Sequence, residues 1–307
     1  MKRTIGYFVG ALAFGGTLSV SSLVSAAPIT FNTALPVAKG AFINREQFIV
    51  RRFDDDSSST NRDLEVNGLV SVLGYGVTPK FALFAAVPYF DKTLNLTING
   101  QTANEQRLSR STEGFGDLKM FGRYTFLQQD ERSRTFRVAG FAGFKAPTGE
   151  DNQRDSLGML PIPLQAGTGA WDGFGGVVIT YQTLDYQIDA QLSFEQNGSA
   201  NNFEVGDESR ADISFQYRLM PQEMSDDTDS FLYGVLEANW VKQDNNRLSG
   251  ISDPNSGGTT LYLTPGIQYV TAKYILEAAV QLPVDQNVHG TALETDFIFT
   301  TGFRINF

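Results

Sequence analysis

Two stretches near the middle of the chain alternate without a break. Tyr186, Ile188, Ala190, Leu192 and Phe194 interleave with Gln187, Asp189, Gln191, Ser193 and Glu195. Ala211, Ile213, Phe215, Tyr217 and Leu219 interleave with Arg210, Asp212, Ser214, Gln216 and Arg218. A period of two sends side chains to opposite faces of an extended strand. Each stretch therefore has one greasy face and one wet face. The closing residues repeat the period, with Phe297, Phe299, Phe303, Ile305 and Phe307 opposing Ile298, Thr300, Gly302, Arg304 and Asn306. Fainter versions mark strands near 41–53, 64–75, 81–98, 116–127, 135–146, 171–181, 232–240, 261–269 and 274–282. The faces of 41–53 do not resolve, because apolar and charged residues fall on both. The result is about twelve strands of ~10–13 residues, enough to cross a bilayer when tilted.

The connections alternate as well. Those near 77–80, 128–134, 182–185, 221–229 and 271–272 are mostly short, and those near 54–63, 92–112, 147–169, 197–207, 243–258 and 284–291 are mostly longer. Short turns at one end and long loops at the other predict an all-β, transmembrane, antiparallel up-and-down β-barrel. In lipid an unpaired backbone N–H or C=O costs several kcal/mol, so strand twelve must close on strand one. Apolar alternation runs on past Asp91 through Leu94, Leu96 and Ile98 to Asn99-Gly100, a two-residue hairpin signal, so a ribbon should project beyond the membrane. Pro88 cannot donate to a ladder and marks a bulge or kink near the outer end of strand three. A loop centred near residue 202 would set Glu195 opposite Arg210 and Ser193 opposite Asp212.

The two ends carry different signals. Lys2 and Arg3 precede an apolar run from Ile5 to Val24, followed by Val24-Ser25-Ala26-Ala27. This is a secretory leader, residues 1–26, cut after Ala26 because a cut after Ala27 would leave Pro28 first. Residues 27–40 show no periodicity and read as a periplasmic tail or an inward-folded plug, followed by the barrel, 41–307. Thr300, Gly302, Ile305 and Phe307 follow a polar–Gly–apolar–apolar spacing that resembles the insertion signal of bacterial outer-membrane barrels. The expectation is a Gram-negative outer membrane with both termini periplasmic. Its partners would be the lipid bilayer, lipopolysaccharide and, through the C-terminal strand, the barrel-assembly machinery.

Composition narrows the function. No segment after residue 30 has the ~18 consecutive apolar residues of a membrane helix, while 24 Phe, 11 Tyr and 30 Gly in 307 residues suit alternating strands. Cysteine is absent, which removes disulfides, thiolate metal sites, cysteine nucleophiles and a lipidated N-terminal Cys. The net charge of −10, or −12 without Lys2 and Arg3, argues against nucleic acid. The single His289 lies in a loop and offers neither a Ser–His pair nor a His metal site. No cofactor, metal or enzymatic activity is expected, beyond at most a weak calcium site at Asp54–Asp56 or Glu150–Asp155.

The wet face carries both signs: Asp117, Lys119, Arg123, Asp189, Glu195, Arg210, Asp212, Arg218, Glu237, Lys273, Glu277, Asp296 and Arg304. In a barrel this narrow such groups can pair across the interior. They either fill a polar core or line a conduit. Gly114, Gly116, Gly173, Gly175 and Gly176 either permit strand bends or thin the wall into a constriction or lateral exit. Two functions follow: a passive channel for small molecules, or a structural, surface-interacting barrel with a filled lumen.

Four motifs occur in order. They are Leu73-Gly74-Tyr75-Gly76-Val77-Thr78 with Ala86-Val87-Pro88-Tyr89; Gly114-Phe115-Gly116-Asp117-Leu118 with Gly122-Arg123-Tyr124; Phe144-Lys145-Ala146-Pro147-Thr148-Gly149; and Gly167-Thr168-Gly169-Ala170-Trp171-Asp172-Gly173-Phe174-Gly175. Together they resemble the outer-membrane family named after a putative MetA pathway of phenol degradation. The resemblance is densest over 64–181 and faint at strand one and over 197–260. It implies a transporter-like barrel, distantly similar to channels for hydrophobic compounds such as fatty acids and toluene. It also suggests an inward ion pair between Asp117 and Arg123.

Overall fold

The computed structural model describes residues 26–307 apart from 55–56, 100–104, 224 and 226–227. The expected leader, save Ala26, and most of Asp54–Asp56 lie outside the described residues.

Thirteen long strands form one antiparallel sheet: β1 (Phe42–Phe53), β2 (Asp63–Thr78), β3 (Phe81–Asn99), β4 (Glu105–Phe115), β5 (Leu118–Glu131), β6 (Arg134–Ala146) and β7 (Asp172–Thr183). They continue with β8 (Tyr186–Gln196), β9 (Glu208–Met220), β10 (Ser230–Gln243), β11 (Gly258–Thr271), β12 (Tyr274–Val288) and β13 (Phe297–Asn306). β1 pairs with β2 on one side and β13 on the other, so the sheet is closed. β4 and β5 are two halves of one barrel strand. β3 pairs with β5 over Phe81–Ala86 and with β4 over Tyr89–Asn99. The barrel therefore has twelve staves. Pro88, which has no N–H, sits where β3 changes partner, and its carbonyl accepts from Gly116 N at 2.9 Å.

Burial is inverted relative to a water-soluble domain. Leu192, Ile213, Phe215, Leu276 and Phe303 are exposed on the outer wall, whereas Asp189, Ser214, Gln216 and Thr264 have no exposed surface. Only a lipid solvent makes that arrangement favourable. Tyr75, Tyr124, Tyr217, Tyr269, Tyr274 and Phe307 face outward near the short-turn end. Tyr89 against Phe115 and Phe144 against Trp171 form a second aromatic band toward the loops. Such girdles sit at membrane–water interfaces.

β1 explains its own illegibility. Glu46 pairs with Phe303 on one neighbour and Ser71 on the other, so it points outward with them. Asn44 Nδ2 donates to its carboxylate at 2.8 Å and the Ser71 hydroxyl donates to its other oxygen. A hydrogen-bonded carboxylate on the greasy wall, with Arg45 and Gln47 inside, erases the alternation.

The ribbon forms, with Asn99 paired to Glu105, and the expected Asn99-Gly100 turn runs into residues 100–104, outside the described residues. One expectation about a connection is corrected. In the β8–β9 pair, Glu195 faces Glu208, Ser193 faces Arg210 and Gln191 faces Asp212, two residues off the expected register. Asn201 and Asn202 both take positive φ, 54° and 60°, and this two-residue turn centres the loop between them.

Candidate functional site

The lumen has two unlike walls. Along β8–β12 it is polar. Asp189 accepts from the Thr180 hydroxyl, from Gln187 Nε2 at 2.6 Å and from Gln216 Nε2 at 3.4 Å. Asp212 accepts from Asn239 at 2.9 Å, Arg210 at 3.2 Å and Gln191 at 3.3 Å. Thr264 and Gln281 donate to the same Asn239 amide oxygen at 2.8 and 3.3 Å. Buried polar groups held by several partners each are costly to orphan.

Along β3 and β5–β7 the lumen is aromatic. Phe84 and Phe121 stack with centroids 4.7 Å apart, and Phe141 and Phe174 meet Phe121 edge-on at 6.2 and 6.0 Å. Lys119 lies 5.4 Å from the Phe174 centroid and pairs with Glu195 at 2.8 Å. The sequence search for charged lumen residues misses these four rings. In β3, Phe84 lies between Leu83 and Ala85, so apolar residues on both faces hide which one points inward.

Residues 26–40 run around the inside between the walls. Ala34 packs with Ala139, Phe141 and Val178, and Val37 packs with Ala82 and Phe84. On the polar side, Ile29 N and Thr30 N donate to Glu237 at 2.8 and 3.2 Å, joined by the Thr30 hydroxyl. Asn32 N donates to Gln191 at 3.2 Å, Ala34 N to Thr180 at 2.8 Å, and Gln268 Nε2 to Ala27 O at 2.7 Å. Arg123 donates to the carbonyls of Thr33 and Leu35 at 2.7 and 2.6 Å. Arg45, held by Glu277 at 2.7 Å, donates to the carbonyls of Pro28 and Ile29 at 3.2 and 2.9 Å. An irregular backbone is tolerated at membrane depth only when its polar groups are satisfied in this way. A cavity of about 730 Å³ remains beside the segment toward the turn end.

The loop end holds a second cluster. Asp117, in the break between β4 and β5, accepts from Gly149 N at 2.9 Å and from Thr168 N and hydroxyl at 2.9 and 3.0 Å. Lys145 bridges Asp117, 3.5 Å away, to Asp172. The expected Asp117–Arg123 ion pair is therefore corrected. Asp117 pins the loop after β6, while Arg123, six residues further on, holds the N-terminal segment. Lys273 and Asp296 are exposed and lie in connections outside the strands. Arg218 turns to Asp185 at 2.5 Å near the turn end.

The glycines divide by position. The space beside Gly114 and Gly116 is taken by Ala166 of the inward-packed loop; a Cβ on Gly116 would come within 2.8 Å of Phe90 and 2.9 Å of Pro88. Gly149 and Gly167 touch backbone to backbone there. Gly173 and Gly175 alternate with inward Asp172 and Phe174 and so belong to the outer face. A Cβ on Gly176 would strike Leu192 O at 2.4 Å. Gly302, Ile305 and Phe307 stand on β13 and its end, with Ile305 and Phe307 on the outer wall. His289 Nδ1 lies 2.8 Å from Asn245 Oδ1 among the loops. Among the described residues no three His, Asp or Glu side chains are grouped to hold a metal.

A closed twelve-stranded antiparallel sheet with a greasy outer wall and an amphipathic lumen defines a transmembrane β-barrel of the outer-membrane type. The COG4313 outer membrane channel from Pseudomonas putida F1 has this fold, with a TM-score of 0.65 at 15% identity over 92% of this chain and 100% of that one. The β domain of the Bordetella autotransporter BrkA aligns less well, with a TM-score of 0.45 at 13% identity over 88% of this chain and 100% of that one. No curated protein sequence matches. The chain belongs to the family described as putative MetA-pathway of phenol degradation, whose model matches residues 49–299.

Proposed function

We propose that the protein is a passive outer-membrane channel for small hydrophobic or aromatic molecules, closed at rest by residues 26–40. One observation carries this: the lumen keeps a continuous aromatic wall, Phe84, Phe121, Phe141 and Phe174, where a merely filled barrel needs only paired polar groups. The segment covers that wall with small side chains, Ala34 and Val37, which an apolar solute can replace at little cost. The short-turn end is periplasmic in this reading, and the leader is removed after Ala26. The long loops face lipopolysaccharide, and β13 is the strand offered to the assembly machinery.

The alternative is a structural barrel with a permanently filled lumen, favoured by the many hydrogen bonds that seat the segment. Proteoliposome uptake separates the two. Measured against protein-free vesicles, the channel reading expects the barrel to raise flux of small aromatic solutes and not that of a similar-sized sugar. No gain over protein-free vesicles for any solute would leave only the structural role.

A further inference from the structure

Arg123 is 6% exposed, and its guanidinium stacks 4.9 Å from the Phe84 centroid. Its two terminal nitrogens each donate to one backbone carbonyl, Thr33 O and Leu35 O. Among the described residues no carboxylate pairs with it; Asp189 acts only from a distance, and Arg304 adds like charge. A buried cation met only by neutral acceptors is poorly compensated. The fork of an arginine matches the two oxygens of a single carboxylate, and such charge-assisted pairs are roughly twice as strong as neutral ones. The two carbonyls, two residues apart, offer one neutral oxygen to each terminal nitrogen, without the charge.

What surrounds the fork is equally specific. The 730 Å³ cavity beside it is lined in part by Arg123, Phe84, Phe121, Val72, Ile43 and Arg304, with the N-terminal segment and polar turn-end residues completing it. Phe84 and Phe121 form a stacked apolar floor. A volume of this order is typical of small-ligand sites, which combine apolar walls with a few fixed polar groups.

We propose that Arg123, with the Phe84–Phe121 stack, is a recognition site for a monocarboxylate with a small aromatic or alkyl body. The carbonyls of Thr33 and Leu35 are its placeholders in the closed state. This rests on the channel reading and adds the substrate class. The carboxylate takes the fork, the body lies on the rings, and the displaced carbonyls loosen the N-terminal segment. Coupling of this kind is reciprocal, so removing the segment must tighten the ligand.

Calorimetric titration of the barrel from Ala27 onward, in detergent, tests the site with benzoate and its neutral isostere benzamide. Benzoate should bind about tenfold tighter than benzamide, the difference between charged and neutral acceptors. Deleting residues 28–36 should tighten benzoate about tenfold again, and Arg123→Gln in that background should return it to the benzamide level. Equal affinities for the two probes would overturn the proposal, as would a deletion that leaves benzoate binding unchanged. If Arg123→Gln fails to fold by the heat-modified gel shift, the probe contrast and the deletion still decide. Flux of neutral aromatics without benzoate preference would sink this site alone. Tight benzoate binding without any flux would instead sink the channel.

Discussion

Glu237 is the residue to which the N-terminal segment is moored most directly, through the N–H groups of Ile29 and Thr30 and the Thr30 hydroxyl, with Ser214 behind it at 3.1 Å. A buried charge-assisted hydrogen bond contributes about 2 kcal/mol, roughly thirtyfold in an equilibrium. Glu237→Gln should raise the exposure of the segment by about that factor, read as the rate of maleimide labelling of a Thr33→Cys side chain. An unchanged rate would mean the remaining contacts hold it without Glu237. Outside the membrane, Arg110 grips Asp155 through two bonds at 2.7 and 2.9 Å and holds its carboxyl below the usual range. The folded-state pKa is lowered, so this contact is fully present above the ordinary carboxylate pKa and is lost as pH falls through the lowered one. A spin label at Leu157→Cys should stay ordered at neutral pH and loosen only well below about pH 4. Asp155→Asn should loosen it at every pH. The charged residues were legible one by one, but their partners were not. Asp117 and Arg123 share a strand face in the sequence, yet a strand break and a separate chain segment take them to different tasks.

At the scale of elements, alternation located every barrel strand, because lipid outside and water or polar groups inside impose opposite demands on successive residues. It failed where that opposition weakens. β1 carries Glu46 outward, and β3, β5, β6 and β7 carry Phe inward, so both faces of those strands look mixed. Register depended on turn chemistry: the paired left-handed asparagines Asn201 and Asn202 shift β8 against β9 by two residues from the expected pairing. Oxidation of Ser193→Cys with Arg210→Cys should therefore cross-link readily. Ser193→Cys with Asp212→Cys, a diagonal pair about 7–8 Å apart, should do so several-fold less. The reverse order would place the hairpin in the other register.

For the whole molecule, closure was legible because an open edge is untenable in lipid, and Phe42 and Phe307 exchange both backbone bonds, at 2.7 and 3.0 Å, to complete it. The course of residues 26–40 was not. Its order comes from partners on β1, β3, β5, β7, β8, β10 and β11, met only once the cylinder exists, and no local period encodes such a path. In the proposed channel that segment is a removable stopper in an otherwise passable lumen. Single-channel recording in planar bilayers, comparing the barrel from Ala27 onward with one lacking residues 28–40, tests this directly. Small, infrequent steps from the intact chain and conductance several-fold larger from the deletion are expected, since the segment borders the cavity and its removal widens the lumen there. Equal conductance from two folded barrels would contradict the account.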